Sequence, residues 1–284
     1  MSDHLPRLAN IADRAHLLIG DGAVDVELRS DGRLPSDPMH VIEMWDELRA
    51  WAAGGVGEPD PYEPALLGPC VPRPRQVFAI GLNYADHAAE TGRPLPENPL
   101  VFTKFPSCIA PPSGPLALPT ANVDWEVELV AVIGRGGRSI AEADALDHVA
   151  GFCVGQDFSE RVVQWAGTPC QFPMGKSFAG FGPLGPAIVD RDAVPGLDLA
   201  ITCAIDGEVV QSSRTSRLIF TVPVLVAYLS SICELLPGDV IFTGTPDGIG
   251  AARTPPRFLQ PGNVVESTIE GLGTLRTECI APTP

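Results

Sequence analysis

Apolar residues fall in short runs along most of the chain, separated by glycine, proline and charged residues. Residues 8–30 carry apolar runs on both sides of Gly20-Asp21-Gly22, which predicts a hairpin turning at that glycine pair. Residues 38–53 predict a helix. Asp37 stands as its cap, Pro38 suits its first turn, and Val41, Met44, Trp45, Leu48 and Trp51 share one face. A Gly- and Pro-rich stretch then runs to about residue 73 and reads as a linker. The first 72 residues thus form a small α+β unit, and residues 73–284 form the main body. There, strands are expected at 76–82, 99–105, 126–134, 149–158, 197–206, 239–244 and 263–280, the last turning at Gly271-Leu272-Gly273. A short helix is expected at 145–150 and a longer one at 222–235. There is no internal repeat and no low-complexity tract.

Composition agrees with a predominantly β, α+β fold. Twenty-nine glycines and 30 prolines in 284 residues interrupt helices and favour short strands joined by turns. Hydrophobic residues at 45% against charged ones at 19% supply a packed core. The formal net charge of −16 disfavours nucleic acid as a partner, though a bound cation can reverse the field inside a pocket that takes a small anion. Seven cysteines without a C-x-x-C pair argue against a disulfide framework or zinc ribbon and predict reduced, mostly buried thiols. The first 22 residues lack a basic start followed by an apolar core, so no signal peptide is expected, and no apolar run approaches the ~18 residues that span a bilayer. A cytoplasmic protein without membrane contact is the expectation.

Chemistry concentrates in a few segments. In Asp124-Trp125-Glu126-Val127-Glu128-Leu129-Val130, strand geometry sends Glu126 and Glu128 to one face and Val127 and Leu129 to the other. A solvated polar face would explain such a pair. In an otherwise apolar strand, however, two adjacent carboxylates need a cation, a shared proton or an arginine. Asp157, at the end of an apolar run, is a turn cap or a third acid facing a cleft. Three carboxylates without a His or Cys cluster suit a hard cation such as Mg²⁺ or Mn²⁺ and disfavour zinc. His87 and Glu90, spaced i and i+3, meet on one helical turn, as a surface pair or as an oriented general base. Gly175-Lys176-Ser177-Phe178 and Thr243-Gly244-Thr245-Pro246-Asp247-Gly248-Ile249-Gly250 read as loops that approach a ligand closely.

In chain order, G-L-N-Y-A-D-H-A-A-E, F-T-K-F-P-S, D-W-E-V-E-L, V-G-Q-D-F-S-E-R, G-K-S-F, G-P-L-G-P and T-G-T-P-D-G-I-G resemble the fumarylacetoacetate hydrolase family, over about Val77 to Thr277. The resemblance implies a mixed β-sandwich roll and a homodimer. It implies that Glu126, Glu128 and Asp157 bind Mg²⁺, Mn²⁺ or sometimes Ca²⁺, and that His87 and Glu90 form a water-activating dyad on a closing lid. It places Lys176 in catalysis and Tyr84, Gln164 and Thr245 at the substrate. One departure is Ala179, where many relatives carry Asp two residues after the serine of G-K-S-F; it bears on substrate identity more than on metal binding.

The reaction expected on this basis is hydrolytic cleavage of a carbon–carbon bond in a small anionic 1,3-dicarbonyl acid, such as an acylpyruvate or a fumarylacetoacetate-like compound. His87, oriented by Glu90, would activate water, with Lys176 and Gln164 stabilising developing negative charge. The same site suits decarboxylation of a β-keto acid or keto–enol isomerisation. A non-catalytic metal-binding module is the remaining alternative, and it would need no general base.

Overall fold

The computed structural model describes residues 5–282. Its central feature is a mixed 12-stranded sheet. The order runs Asp60–Pro61, Gly22–Asp25, Arg14–Ile19, Arg7–Ile11, Gly182–Asp190, Val149–Gln156, Val127–Ile133, Val240–Phe242, Val77–Gly81 and Leu100–Thr103, with Leu67–Gly68 and Ile109–Ala110 paired beside that path. A five-stranded sheet runs Glu208–Arg214, Ala200–Ile205, Val264–Ile269, Gly273–Ile280 and Ser113–Ala117. The Val240–Phe242 and Val77–Gly81 strands are parallel, and the Val127–Ile133 and Val149–Gln156 strands antiparallel. The architecture is the mixed, sheet-rich roll expected from the sequence.

Strand alternation divides the core into two layers. Leu129, Ala131, Ile133, Phe152 and Val154 pack with Ile201, Cys203, Val265 and Leu275 of the five-stranded sheet. Val130, Val132, Cys153 and Phe242 point the opposite way and pack with Val41, Ile42, Trp45 and Leu48 from the N-terminal helices. Strand Val127–Ile133 is buried on both faces, which is why its apolar run is nearly continuous.

The N-terminal hairpin forms, with Ile19 opposite Gly22. The segment does not stop there: Leu8 pairs with Ile188, so its strands extend the central sheet and its helices share one apolar cluster with the main body. The helix expected over 38–53 is broken at Met44 (φ −110°, ψ 36°) into Pro38–Glu43 and Trp45–Ala53. The break lets Val41, Ile42, Trp45 and Leu48 all reach the sheet, and Trp45 Nε1 donates to the buried Asp190 at 3.1 Å. Asp37 caps the first piece through Met39 N. Residues 145–150 form the end of a 3₁₀ segment, Glu142–His148, and the start of a strand. Strands Gly182–Asp190 and Glu208–Arg214 were not legible as such; prolines at 183 and 186 and an exposed polar stretch disguise them. All seven cysteines are free thiols, five of them buried. Among the described residues no helix is long and apolar enough to cross a membrane.

Candidate metal centre and catalytic pocket

Register brings three acids together. Val127 pairs with Gln156 and Glu128 with Gly155; on the next rung Asp157 N donates to the Glu126 carbonyl at 2.9 Å. Glu126, Glu128 and Asp157 therefore leave two adjacent strands on the same side, and their carboxylate oxygens lie within 4.8 Å of one another. Gly155 keeps the rung open: a Cβ there would come 2.5 Å from Val130 Cγ2 and 2.8 Å from the Phe242 ring. Gln156 points to the opposite face, where it donates to Ser267 Oγ at 3.0 Å.

Buried cations neutralise most of this charge. Lys176 Nζ lies 2.6 Å from Glu126 Oε2 and 2.5 Å from Asp157 Oδ2. Lys104 Nζ donates to Asp157 Oδ1 at 2.6 Å and also to the carbonyls of Lys176 and Phe181. Arg161 Nη2 lies 2.7 Å from Asp124 Oδ2 and 2.8 Å from Glu126 Oε1, and its Nε donates to Asp124 Oδ2 at 2.8 Å. Asp124 in turn accepts from Gly250 N and Ala251 N, tying the strand to the loop that follows T-G-T-P.

These surroundings set the ionisation of the acids. Burial pushes Glu126 up, but the Lys176 and Arg161 charges outweigh it and hold the carboxyl at a pKa of about 2. Burial and the neighbouring Asp157 and Glu126 charges push Glu128 well above the ordinary carboxylate value. Glu128 touches no cation among the described residues; it accepts from Gly244 N at 2.7 Å. Burial would lower Lys176, yet Asp157 and Glu126 raise it, so it is an ammonium. Four carboxylates, counting Asp124, thus meet three protein cations, and Glu128 is the one left over. An all-oxygen donor set with a surplus of negative charge fits a divalent cation of the Mg²⁺ or Mn²⁺ class.

Beside the acids lies a cavity of about 430 Å³, lined by Glu126, Glu128, His87, Glu90, Lys176 and Thr245 among others. Helix Ala85–Glu90 supplies the expected pair: His87 Nδ1 lies 2.7 Å from Glu90 Oε1. Glu90 Oε2 accepts from Gly248 N at 2.9 Å, so the dyad is held against the T-G-T-P-D-G loop rather than standing open. His87 is 7% exposed. Gln164 also lines the cavity, its Oε1 accepting from Arg161 Nη1 at 2.8 Å. Thr245 Oγ1 accepts from Gln211 Nε2 at 2.8 Å. Tyr84 differs from the others. It is buried and absent from the cavity lining, its hydroxyl has no partner among the described residues, and burial together with the Glu128 charge pushes the phenol pKa up.

Lys104, Arg161 and Gln211 escaped the sequence reading. Lys104 carried a visible signal, a lone charge inside Val-Phe-Thr-Lys-Phe. Arg161 follows Asp157 across the short strand Ser159–Glu160, and only the fold shows that it reaches back to Asp124 and Glu126.

The family model for the fumarylacetoacetate hydrolase C-terminal region matches residues 76–280. The chain is 43% identical over 270 residues to the mitochondrial oxaloacetate tautomerase fahd2 of Xenopus laevis, covering 92% of this chain and 84% of that protein. It is similar to the fumarylacetoacetate hydrolase of Exiguobacterium antarcticum, with a TM-score of 0.81, 30% identity and coverage of 97% and 99% of the two chains. It is also similar to the maleylpyruvate hydrolase of Sphingobium sp. SYK-6, solved with manganese(II) and pyruvate, with a TM-score of 0.78, 27% identity and coverage of 98% and 100%.

Proposed function

The chain belongs to the fumarylacetoacetate hydrolase family, and from that membership we propose that it is a metal-dependent enzyme that moves a proton on a small 1,3-dicarbonyl acid, interconverting the keto and enol forms of an oxaloacetate-type substrate. The observation that carries this reading is the His87–Glu90 pair in the same cavity as Glu126 and Glu128. The tautomerase activity named for the Xenopus laevis relative supports it.

Glu126, Glu128 and Asp157 would hold Mg²⁺ or Mn²⁺, which supplies Lewis acidity to the carbonyl oxygens of a bound diketo acid. The remaining chemistry belongs to side chains. Glu90 engages His87 Nδ1, so Nε2 is the ring nitrogen left to take a proton from the carbon between the two carbonyls and return it to oxygen. Gln164 has its carbonyl oxygen engaged by Arg161, which leaves its amide N–H groups as donors to a substrate oxygen. Thr245 accepts from Gln211 and keeps its own hydroxyl proton for a substrate carboxylate. Lys176 keeps the carboxylates ionised and adds positive charge where enolate charge develops.

A second reading, carbon–carbon bond hydrolysis, is favoured by the same dyad, since an imidazole oriented by a carboxylate can also activate water. The test uses Mn²⁺-loaded protein with oxaloacetate and with acetylpyruvate. Enol decay is followed optically and products by mass spectrometry. Faster enol–keto exchange without new products is the expected result. Release of pyruvate plus acetate from acetylpyruvate would move the assignment to hydrolysis, and carbon dioxide plus pyruvate from oxaloacetate would move it to decarboxylation. No acceleration of any of these would refute both readings.

A further inference from the structure

The cavity lining contains two cations that the catalytic scheme does not use, the exposed Arg93 and the half-buried Arg253. Arg161 and Lys176 line it, but both are committed to protein carboxylates. Arg253 lines it as well, and among the described residues it faces no carboxylate. Its Nη2 donates to the carbonyls of Val210 at 3.1 Å and Gly248 at 3.4 Å. Its Nε is buried without a hydrogen-bond partner among the described residues. The guanidinium lies over the ring of the fully buried Trp125, 5.7 Å from the centroid. An arginine half-buried on an aromatic face, with an unpartnered Nε and a place in the cavity lining, is suited to a carboxylate from outside the protein.

Its position relative to the dyad is set by one residue. Gly248 N donates to Glu90 at 2.9 Å, and the Gly248 carbonyl receives Arg253 and, at 3.2 Å, Trp125 Nε1. Gly248 has φ +100°, and a Cβ there would meet the Val210 carbonyl at 2.2 Å, so no side chain is accommodated. Glu90, which orients the general base, and the arginine are thereby attached to the two sides of one residue's backbone.

We propose that Arg253 is a specificity-determining residue that binds a second carboxylate of the substrate, remote from the 2-oxo-acid end, so that the enzyme selects dicarboxylic 2-oxo acids over monocarboxylic acylpyruvates. The substrate part of this inference rests on the proposed function, whereas the anion-binding part does not.

Two measurements separate them. In the first, kcat/KM for enol–keto exchange is compared for oxaloacetate and its half-ester at the carboxyl remote from the oxo group. Wild-type protein prefers the diacid by about 10–100-fold, the scale of a charge-assisted hydrogen bond. Arg253→Gln loses that preference mainly through KM and leaves the half-ester within about twofold of wild type, and Arg253→Lys falls between. An equal loss on both substrates would mean that Arg253 only supports Trp125 and the loop, and would overturn the proposal. So would a wild-type enzyme without preference, a result that needs no variant to fold. In the second, calorimetry on Mn²⁺-loaded protein compares malate with 2-hydroxybutyrate, which shares the hydroxy-acid end but lacks the second carboxylate. Malate should bind about 10–100-fold more weakly to Arg253→Gln while 2-hydroxybutyrate is unchanged. Absence of that difference overturns the anion site. If neither oxaloacetate nor its half-ester turns over but the malate difference holds, the proposed function fails and the anion site stands.

Discussion

Lys104→Met is the most informative perturbation of the metal centre. The side chain is fully buried, and its ammonium serves Asp157 at 2.6 Å and the carbonyls of Lys176 and Phe181. Methionine has similar length and volume, so the change removes charge and donors with little change in packing. Breaking a buried ion pair by deleting one partner costs about 3–5 kcal/mol, because the other charge stays buried. Asp157 keeps Lys176 at 2.5 Å, which argues for the lower end, while two carbonyls that lose their donor push the other way. At roughly 2–4 °C per kcal/mol for a chain of this size, the melting temperature in chelator should fall by about 6–20 °C. A divalent cation restores positive charge beside Asp157, so saturating Mn²⁺ should raise the melting temperature of the variant more than that of wild type; a ligand at about 100 times its Kd contributes about 2.7 kcal/mol. The assay is thermal unfolding followed by circular dichroism, with and without Mn²⁺. A fall below about 2 °C in chelator, or an Mn²⁺ increment no larger than that of wild type, would refute the argument that Lys104 neutralises Asp157.

Four further outcomes are expected. His87→Ala should lower turnover by about 10²–10⁴-fold while calorimetric Mn²⁺ affinity is retained, and adding Glu90→Ala should cost little more, because the two act as a unit; loss of Mn²⁺ binding would contradict the assigned role. Gly248→Ala should abolish activity and lower thermal stability, since its Cβ would collide with the Val210 carbonyl and displace the contacts to Glu90 and Arg253; a variant with wild-type kinetics would show that the loop is not tightly held. Burial raises the Asp239 pKa to about 6, against the hydrogen bonds it accepts from Gln76 and Leu236. The folded form therefore binds the proton more tightly than the unfolded chain, so this group's contribution is full below its ordinary carboxylate pKa and is lost as pH rises through about 6. The advantage of wild type over Asp239→Asn in thermal unfolding should accordingly shrink from about pH 4 to about pH 7, and a pH-independent difference would exclude this source. Light scattering at micromolar concentration is expected to give a dimer, as the family membership suggests, and a monomer alone would contradict it.

Much of the site was legible in the sequence because strand periodicity is local. Glu126 and Glu128 had to share a face once residues 126–134 formed a strand, and the His87–Glu90 spacing had to meet once residues 85–90 formed a helical turn. The third acid depended on register. Nothing in the residues around Asp157 states that it sits on the rung beside Glu126; that follows from pairing Val127 with Gln156 across the sheet. Strand Gly182–Asp190 hid for a similar reason. Its Gly-Pro sequence looks like a loop, yet it is almost wholly buried between Arg7–Ile11 and Val149–Gln156. Central position overrode local propensity there.

The sequence alone determined that Glu126 and Glu128 share a face and that His87 meets Glu90, since each pair resides in a short stretch whose geometry follows from backbone period, and its motifs carried the family resemblance. Tertiary structure alone decided which cations answer which acids. Lys104, Lys176 and Arg161 reach Asp157 and Glu126 across 53, 19 and 35 positions of chain, and among the described residues Glu128 is left without a cation and Arg253 without an anion. Charge compensation in a buried site acts through space over a few ångströms, so residues remote in sequence acquire their roles only when the two sheets and their loops close around the same point.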